Sequence, residues 1–172
     1  IIMKFLAYAE KAEVLYFPPF TPAEILEQYK SKCIQVPLIV SKKTPAKIDV
    51  DKTKFNILIM DSGAGVLKST IQRALDNMNH KDDLVFYVSE NFNSSNPNVR
   101  FVRHNELFLD YIPQMDLVIG RAGFNSISEC LSFRIPMLLL SEAFNPEMQE
   151  NIVNIVGSGL AGFVSLQKFS TD

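Results

Sequence analysis

The run Phe55-Asn56-Ile57-Leu58-Ile59-Met60 is apolar at five of its six positions. That is the pattern of a strand covered on both faces in a parallel sheet, rather than the alternation of a half-exposed one. Shorter apolar runs follow at Leu84–Val88, Phe101-Val102, Leu117–Ile119, Met137–Leu140 and Gly162–Val164, and each reads as a strand. Between them lie stretches with helical spacing. These predict helices from about Val66 to Met78, Glu106 to Ile112, Asn125 to Phe133 and Pro146 to Val156. Strand and helix alternate about every 12–20 residues, which predicts an α/β fold, a Rossmann-like parallel sheet with helices on both faces.

The front of the chain follows a different plan. Residues 1–40 predict a helix, a strand, a helix and a strand. Val14–Phe17 is a strand halted by Pro18-Pro19, and Thr21-Pro22-Ala23-Glu24 opens a helix that runs to about Tyr29. Thr21 is its N-cap, Pro22 takes the first helical position and Glu24 closes a capping box. Ile34–Val40 is the second strand, placed at an edge or bend by Pro37. Residues 41–53 are polar, contain Pro45 and begin a lysine cluster (Lys42, Lys43, Lys47, Lys52, Lys54), and they read as a linker. All seven glycines lie beyond Met60, and the chain opens on Ile1 rather than Met, so it reads as part of a longer protein. The boundaries expected are 1–40, 41–53 and 54–172.

Composition narrows the chemistry. The 172 residues carry 17 basic and 19 acidic side chains, a net charge of −2, and nothing resembling the cationic footprint of a nucleic-acid binder. No apolar run reaches the length of a membrane span, and no secretory leader is evident. Cys33 and Cys130 are far apart and read as free thiols. His80 and His104 are the only histidines and have no metal-ligand spacing, so neither a zinc site nor a Ser-His-Asp triad is expected. No metal and no cofactor is expected.

In a parallel sheet, ligands sit beyond the carboxyl ends of the strands, so the loops there carry the candidates. After Met60 comes Asp61-Ser62-Gly63-Ala64-Gly65, either a backbone cradle for a ligand or simply a tight strand-to-helix turn. After Ile119 comes Gly120-Arg121-Ala122-Gly123-Phe124-Asn125-Ser126-Ile127-Ser128-Glu129. Phe124, Ile127 and Leu131 share one helical face, with Asn125, Ser128, Glu129 and Ser132 on the other. The start of this helix suits a phosphate, and Glu129, one turn further in, suits two vicinal hydroxyls. A capping box from Ser126 to Glu129 fits the same residues. After Leu140, a polar loop leads into a helix with Asn145, Gln149 and Asn151, amides suited to sugar hydroxyls, or else an ordinary loop with Pro146 at the first helical position. His104 reads as catalytic or as plain surface.

Together these loops resemble the nucleotide-sugar half of GT-B fold glycosyltransferases, and in particular the bacterial N-acetylglucosaminyltransferases that form lipid II. The resemblance spans about Lys54 to Val164. It rests on Arg121-Ala122-Gly123 with the helix start behind it, Glu129, Ile135-Pro136, Gln149-Glu150-Asn151 and Gly159-Leu160-Ala161. It implies that Glu129 holds a donor ribose, that Gly123, Phe124, Asn125 and Ser126 surround the diphosphate with Arg121, and that Gln149 contacts the sugar. It also implies that Asn105 meets the base through its backbone and that Gly63, Ala64 and Gly65 flank the nucleotide. Three positions depart from the family pattern. Asp61-Ser62-Gly63 stands for Gly-Gly-Ser, Met148-Gln149 for paired glutamines, and Ile135 for a glycine.

The function implied is the donor half of a glycosyltransferase. It would bind a UDP-sugar such as UDP-N-acetylglucosamine, with the acceptor and the catalytic base held by an amino-terminal domain of which residues 1–40 are the tail. No catalytic residue is expected within the chain, which alone would be inactive. The acceptor, a glycan or a lipid-linked sugar, stays open. The protein would be cytoplasmic, and a lipid-linked acceptor would bring it to the inner face of a membrane. A nucleotide-sugar hydrolase of the same fold and a non-catalytic donor-binding subunit are the alternatives.

Overall fold

The computed structural model describes residues 8–17, 19, 21, 23–61, 65–103, 108–142 and 145–169. The chain divides into two compact units, residues 1–39 and 40–172.

In the first unit, residues 8–11 are helical, strand β1 (Leu15–Phe17) pairs in parallel with β2 (Cys33–Gln35), and helix α1 (Ala23–Gln28) crosses between them. Ala9, Phe17 and Tyr29 form its small buried core. Lys32 Nζ donates to the carbonyls of Ala9, Glu10 and Ala12 at 2.6, 3.0 and 3.2 Å, fastening the early helical turn to the β2 side. β2 ends at Gln35, short of the predicted Val40. Pro37 has no N–H to contribute to a ladder, and 36–40 run without regular structure. Pro18 and Pro22, from the predicted turn and helix start, lie outside the described residues.

The second unit is a six-stranded, all-parallel sheet. In chain order it contains β3 (Phe55–Met60), α2 (Lys68–Asn77), β4 (Leu84–Ser89), β5 (Val99–Val102) and α3 (Phe108–Tyr111), which continues as a 3-10 turn (Ile112–Gln114). β6 (Leu117–Arg121), α4 (Phe124–Phe133), β7 (Met137–Ser141), α5 (Pro146–Gly157), β8 (Ala161–Ser165) and α6 (Leu166–Phe169) follow. The strand order is β5-β4-β3-β6-β7-β8, the doubly wound order in which the chain moves outward on one side of β3 and then returns to fill the other. α6 has no counterpart among the predicted elements.

The apolar strands are explained by burial on both faces. Ile57, Ile59, Phe86, Val88, Ile119 and Leu140 pack with Leu67, Ile71 and Leu75 at α2, and Leu166 and Phe169 of α6 lie against the same cluster. The intervening residues Leu58, Val118 and Leu139 are equally buried on the opposite face, where the Tyr87 ring lies 5.7 Å from Tyr111 of α3. Asn56, the one polar residue of the β3 run, is buried because it is fully bonded. Its Nδ2 donates to the carbonyls of Asp51 (3.0 Å) and Lys54 (2.8 Å), and Asp116 Oδ2 accepts its backbone N–H at 2.7 Å.

Residues 41–53 form no helix or strand, but they are not a free tether. Val50 is buried, Ala46 N–H donates to Asp110 Oδ1 at 2.8 Å, Lys43 Nζ lies 3.6 Å from Asp110 Oδ2, and Lys52 Nζ donates to Gln114 O. The nearly buried Asp110 carboxylate is thus satisfied by the segment that crosses it. α4 ends on Arg134 in the left-handed conformation (φ 58°), where Ile135 N–H reaches back to Cys130 O at 2.9 Å. An arginine thus adopts here a conformation that favours glycine.

Candidate functional site

The strand order sets the location of the site. β3 and β6 are neighbours, and the chain leaves β3 in one direction and β6 in the other, so their carboxyl ends border a crevice. The ladders pair Met60 with Gly120 and Arg121 with Leu140. The residues leaving β3, β6 and β7 therefore emerge side by side: Asp61, Arg121 and, one step beyond Ser141, Glu142. A Cβ on Gly120 would lie 3.2 Å from Met60 O, so glycine there permits the close approach of β3 and β6 at this point.

Helix α4 starts at the crevice. Gly123 is its N-cap and Ile127 N–H makes the first helical bond, to Gly123 O at 3.0 Å, so the N–H groups of Phe124, Asn125 and Ser126 have no intrahelical acceptor. With the helix beginning at Phe124, Ser126 and Glu129 lie inside it, and the capping-box reading is set aside. Asn125, Glu129 and Ser132 share one face at i, i+4, i+7 spacing. Glu129 is half-buried, and its carboxylate has no hydrogen-bond partner among the described residues. Burial pushes its carboxyl above the usual range.

Ser128, expected on that polar face, is instead fully buried beside Ile127, and its hydroxyl has no hydrogen-bond partner among the described residues. Replacing Ser128 with alanine removes an unsatisfied buried hydroxyl without opening a cavity. The expected outcome is a stabilisation of about 1 kcal/mol in urea unfolding; destabilisation would contradict it. Cys130 is also fully buried, and its surroundings push its thiol up to about 12, with the charge of Glu129 adding to the effect of burial. It is chemically quiet at neutral pH.

The β7–α5 connection closes the other side. Asn145 caps α5 by accepting Met148 N–H at 3.3 Å, with Pro146 at the first helical position. A Cβ on Gly123 would lie 3.9 Å from Met148 Cε, so the starts of α4 and α5 are adjacent. Gln149 Nε2 donates to Glu142 O at 3.2 Å, which holds this side chain at the crevice. Asn151, one of the amides read as suited to sugar hydroxyls, turns inward and donates to Ala122 O at 2.8 Å, where it is buried.

Arg121 is engaged from within the protein. Its Nε and Nη2 meet the two Glu142 oxygens as a fork, the Nη2–Oε2 distance being 3.1 Å, and the two side chains are only 13% and 11% exposed. Asp61 Oδ1 accepts Leu67 N–H at 3.4 Å. Burial pushes the Asp61 carboxyl above its usual range, opposed by the Leu67 N–H and by the charges of Arg121 and Lys68. Sequence reasoning did not single out Glu142 and Asp61, which the structure places beside Arg121. The only available signal was an acid directly beyond each strand, which is common in polar loops. Gly65 adopts φ +64°, a conformation that favours glycine. Gly63, Ala64, Asn105 and His104 lie outside the described residues. The structure therefore brings together Arg121, Gly123, Phe124, Asn125, Ser126, Glu129 and Gln149. Among the described residues no helix is long and apolar enough to cross a membrane.

The glycosyltransferase family 28 C-terminal domain matches residues 67–171, well over half of the chain. The chain belongs to glycosyltransferase family 28. The matched region runs from Leu67 through α6 and takes in the ends of β6 and β7 and the starts of α4 and α5. A UDP-N-acetylglucosamine--N-acetylmuramyl-(pentapeptide) pyrophosphoryl-undecaprenol N-acetylglucosamine transferase of Clostridium botulinum is 28% identical over 106 residues, 59% of this chain and 30% of that protein. The enzyme of the same name from Staphylococcus epidermidis is 29% identical over 112 residues, 62% of this chain and 31% of that protein. The chain thus spans about a third of the length of these relatives.

Solved structures agree on the fold. The glycotransferase of kitacinnamycin superposes with a TM-score of 0.66 at 15% identity, over 93% of this chain and 47% of that one. MurG of Acinetobacter baumannii gives 0.60 at 14% identity, over 94% and 55%. The fold is that of GT-B glycosyltransferases, as the resemblance implied.

Proposed function

We propose that residues 54–172 are the donor half of a UDP-sugar-dependent glycosyltransferase, with the donor bound in the crevice beyond β3, β6 and β7. The observation that carries this reading is Glu129, a half-buried carboxylate without a hydrogen-bond partner among the described residues, one turn behind an open helix start in a family 28 chain. A carboxylate in such surroundings suits a pair of donor hydroxyls, and the two hydroxyls of a ribose have that arrangement. The N–H groups of residues 124–126 and the positive end of α4 suit the diphosphate, with the side chains of Asn125 and Ser126 beside them. Gln149, held on Glu142 O, faces the sugar.

In this reading, helix-terminus N–H groups stabilise the charge that builds on the leaving UDP. A base from the rest of the full-length protein takes the acceptor proton. Residues 1–40 are the tail of the preceding domain and 41–53 the connection. The chain alone binds donor and does not turn it over. The named relatives act on an undecaprenol-linked acceptor. A similar acceptor here places the full-length protein in the cytoplasm, peripherally at the inner membrane face.

Calorimetric titration of the chain with UDP and with UDP-N-acetylglucosamine tests the reading. Saturable one-to-one binding of both is expected. Absence of UDP binding at millimolar concentration removes the donor site, whereas binding of UDP without any added contribution from the sugar removes UDP-N-acetylglucosamine as the donor.

A further inference from the structure

We propose that Glu142, through its ion pair with Arg121, is a specificity-determining residue that restricts the sugar subsite to uncharged sugars. The inference rests on the donor-site reading and deepens it. An arginine fork is the side chain best suited to grip a carboxylate, because its planar N–H donors match both oxygens. At the end of β6, Arg121 would offer such a grip to an acidic sugar. In this protein the fork is already taken up by Glu142, itself almost buried.

Register places a second carboxylate, Asp61, next to Arg121 at the end of the neighbouring strand β3. Two carboxylates thus stand against the one guanidinium at the strand ends, with the charge of Lys68 acting on the Asp61 side. Glu142 O also accepts from Gln149 Nε2 at 3.2 Å, so the trio borders the side chain read as facing the sugar. Neutral hydroxyls can donate to such a wall, but a sugar carboxylate meets like charge in a partly dehydrated crevice, where that is costly. Neither Asp61 nor Glu142 follows from the pattern of the resemblance.

The test compares UDP, UDP-glucose and UDP-glucuronate by calorimetry on the chain and on its Glu142→Gln and Asp61→Asn variants. The readout is the ratio of the two sugar-nucleotide dissociation constants. The wild type is expected to bind UDP-glucuronate at least about tenfold more weakly than UDP-glucose. Glu142→Gln releases the Arg121 fork and is expected to bring the ratio to about threefold or less, and Asp61→Asn to move it in the same direction. A purely structural role would weaken both donors alike and leave the ratio where it was. A wild-type ratio within about twofold, or a ratio unmoved in the variants, overturns the proposal while UDP binding leaves the donor-site reading standing. Failure of the wild type to bind UDP overturns both. Thermal melting followed by circular dichroism shows whether Glu142→Gln folds. If it does not, Asp61→Asn, whose side chain is less buried, decides alone.

Discussion

Arg121→Met is expected to lower the unfolding free energy by about 3 kcal/mol. The reason lies in what is left behind. Glu142 is 11% exposed and takes its fork from Arg121, so removing the guanidinium strands a carboxylate in the wall of the crevice. The attraction lost is the smaller part of the cost, since much of it already offsets the dehydration of both groups. It follows that Arg121→Met/Glu142→Leu, which removes both charges, should recover most of the loss. Urea unfolding of the wild type, the single and the double variant measures this, with an unchanged dependence on denaturant as the check on a common unfolded state. A single variant within about 0.5 kcal/mol of wild type would show that water reaches Glu142 and that the pair is a surface contact.

The second large effect concerns binding. Glu129→Ala is expected to weaken UDP affinity about 10- to 100-fold, the loss of one or two hydrogen bonds to a charged acceptor. Unaltered affinity would take Glu129 out of the site. The variant Glu129→Gln separates function from stability. Burial raises the Glu129 carboxyl above its unfolded value, so between the unfolded and folded values the native state holds more protons. Native stability then falls as pH rises through that window, and the cost persists above it. Glu129→Gln removes the cost, so it should be slightly more stable than wild type at neutral pH, with the difference vanishing in acid, while binding UDP more weakly. Because the ribose hydroxyls need the ionised form, wild-type UDP binding should begin to weaken at a higher pH than an ordinary glutamate would give.

These expectations rest on features that the sequence disclosed unevenly. The six apolar runs after Lys54 each became a strand of one parallel sheet, because burying both faces demands apolar residues at odd and even positions alike. Glu129 was singled out by its place one turn into the helix after a strand end, and Gly123 through the resemblance. Spacing could not choose between a ligand carboxylate and a capping box, since both use the same residues. The start of α4 at Phe124 sets the capping box aside, and the ligand role is the proposal made above. Ser128 was misplaced because a two-faced helical wheel ignores what packs above it, and α4 is covered more widely than one apolar stripe. The lysines of 41–53 suggested a solvated linker, but the acceptors that hold two of them, Asp110 and Gln114 O, are some sixty residues away in sequence.

By itself, then, the sequence determined the alternation of strand and helix and the doubly wound class, and it pointed to the loops where the donor is proposed to bind. Local periodicity and turn chemistry are written in neighbouring residues. Tertiary structure alone decided the contacts across strands: that Arg121 is held by Glu142, that Asp61 stands beside them, that Asn151 faces Ala122 O, and that Glu129 is left without a hydrogen-bond partner among the described residues. Those depend on strand order and register, which bring together side chains from loops dozens of residues apart, and on burial, which gives each charge its cost and its consequence.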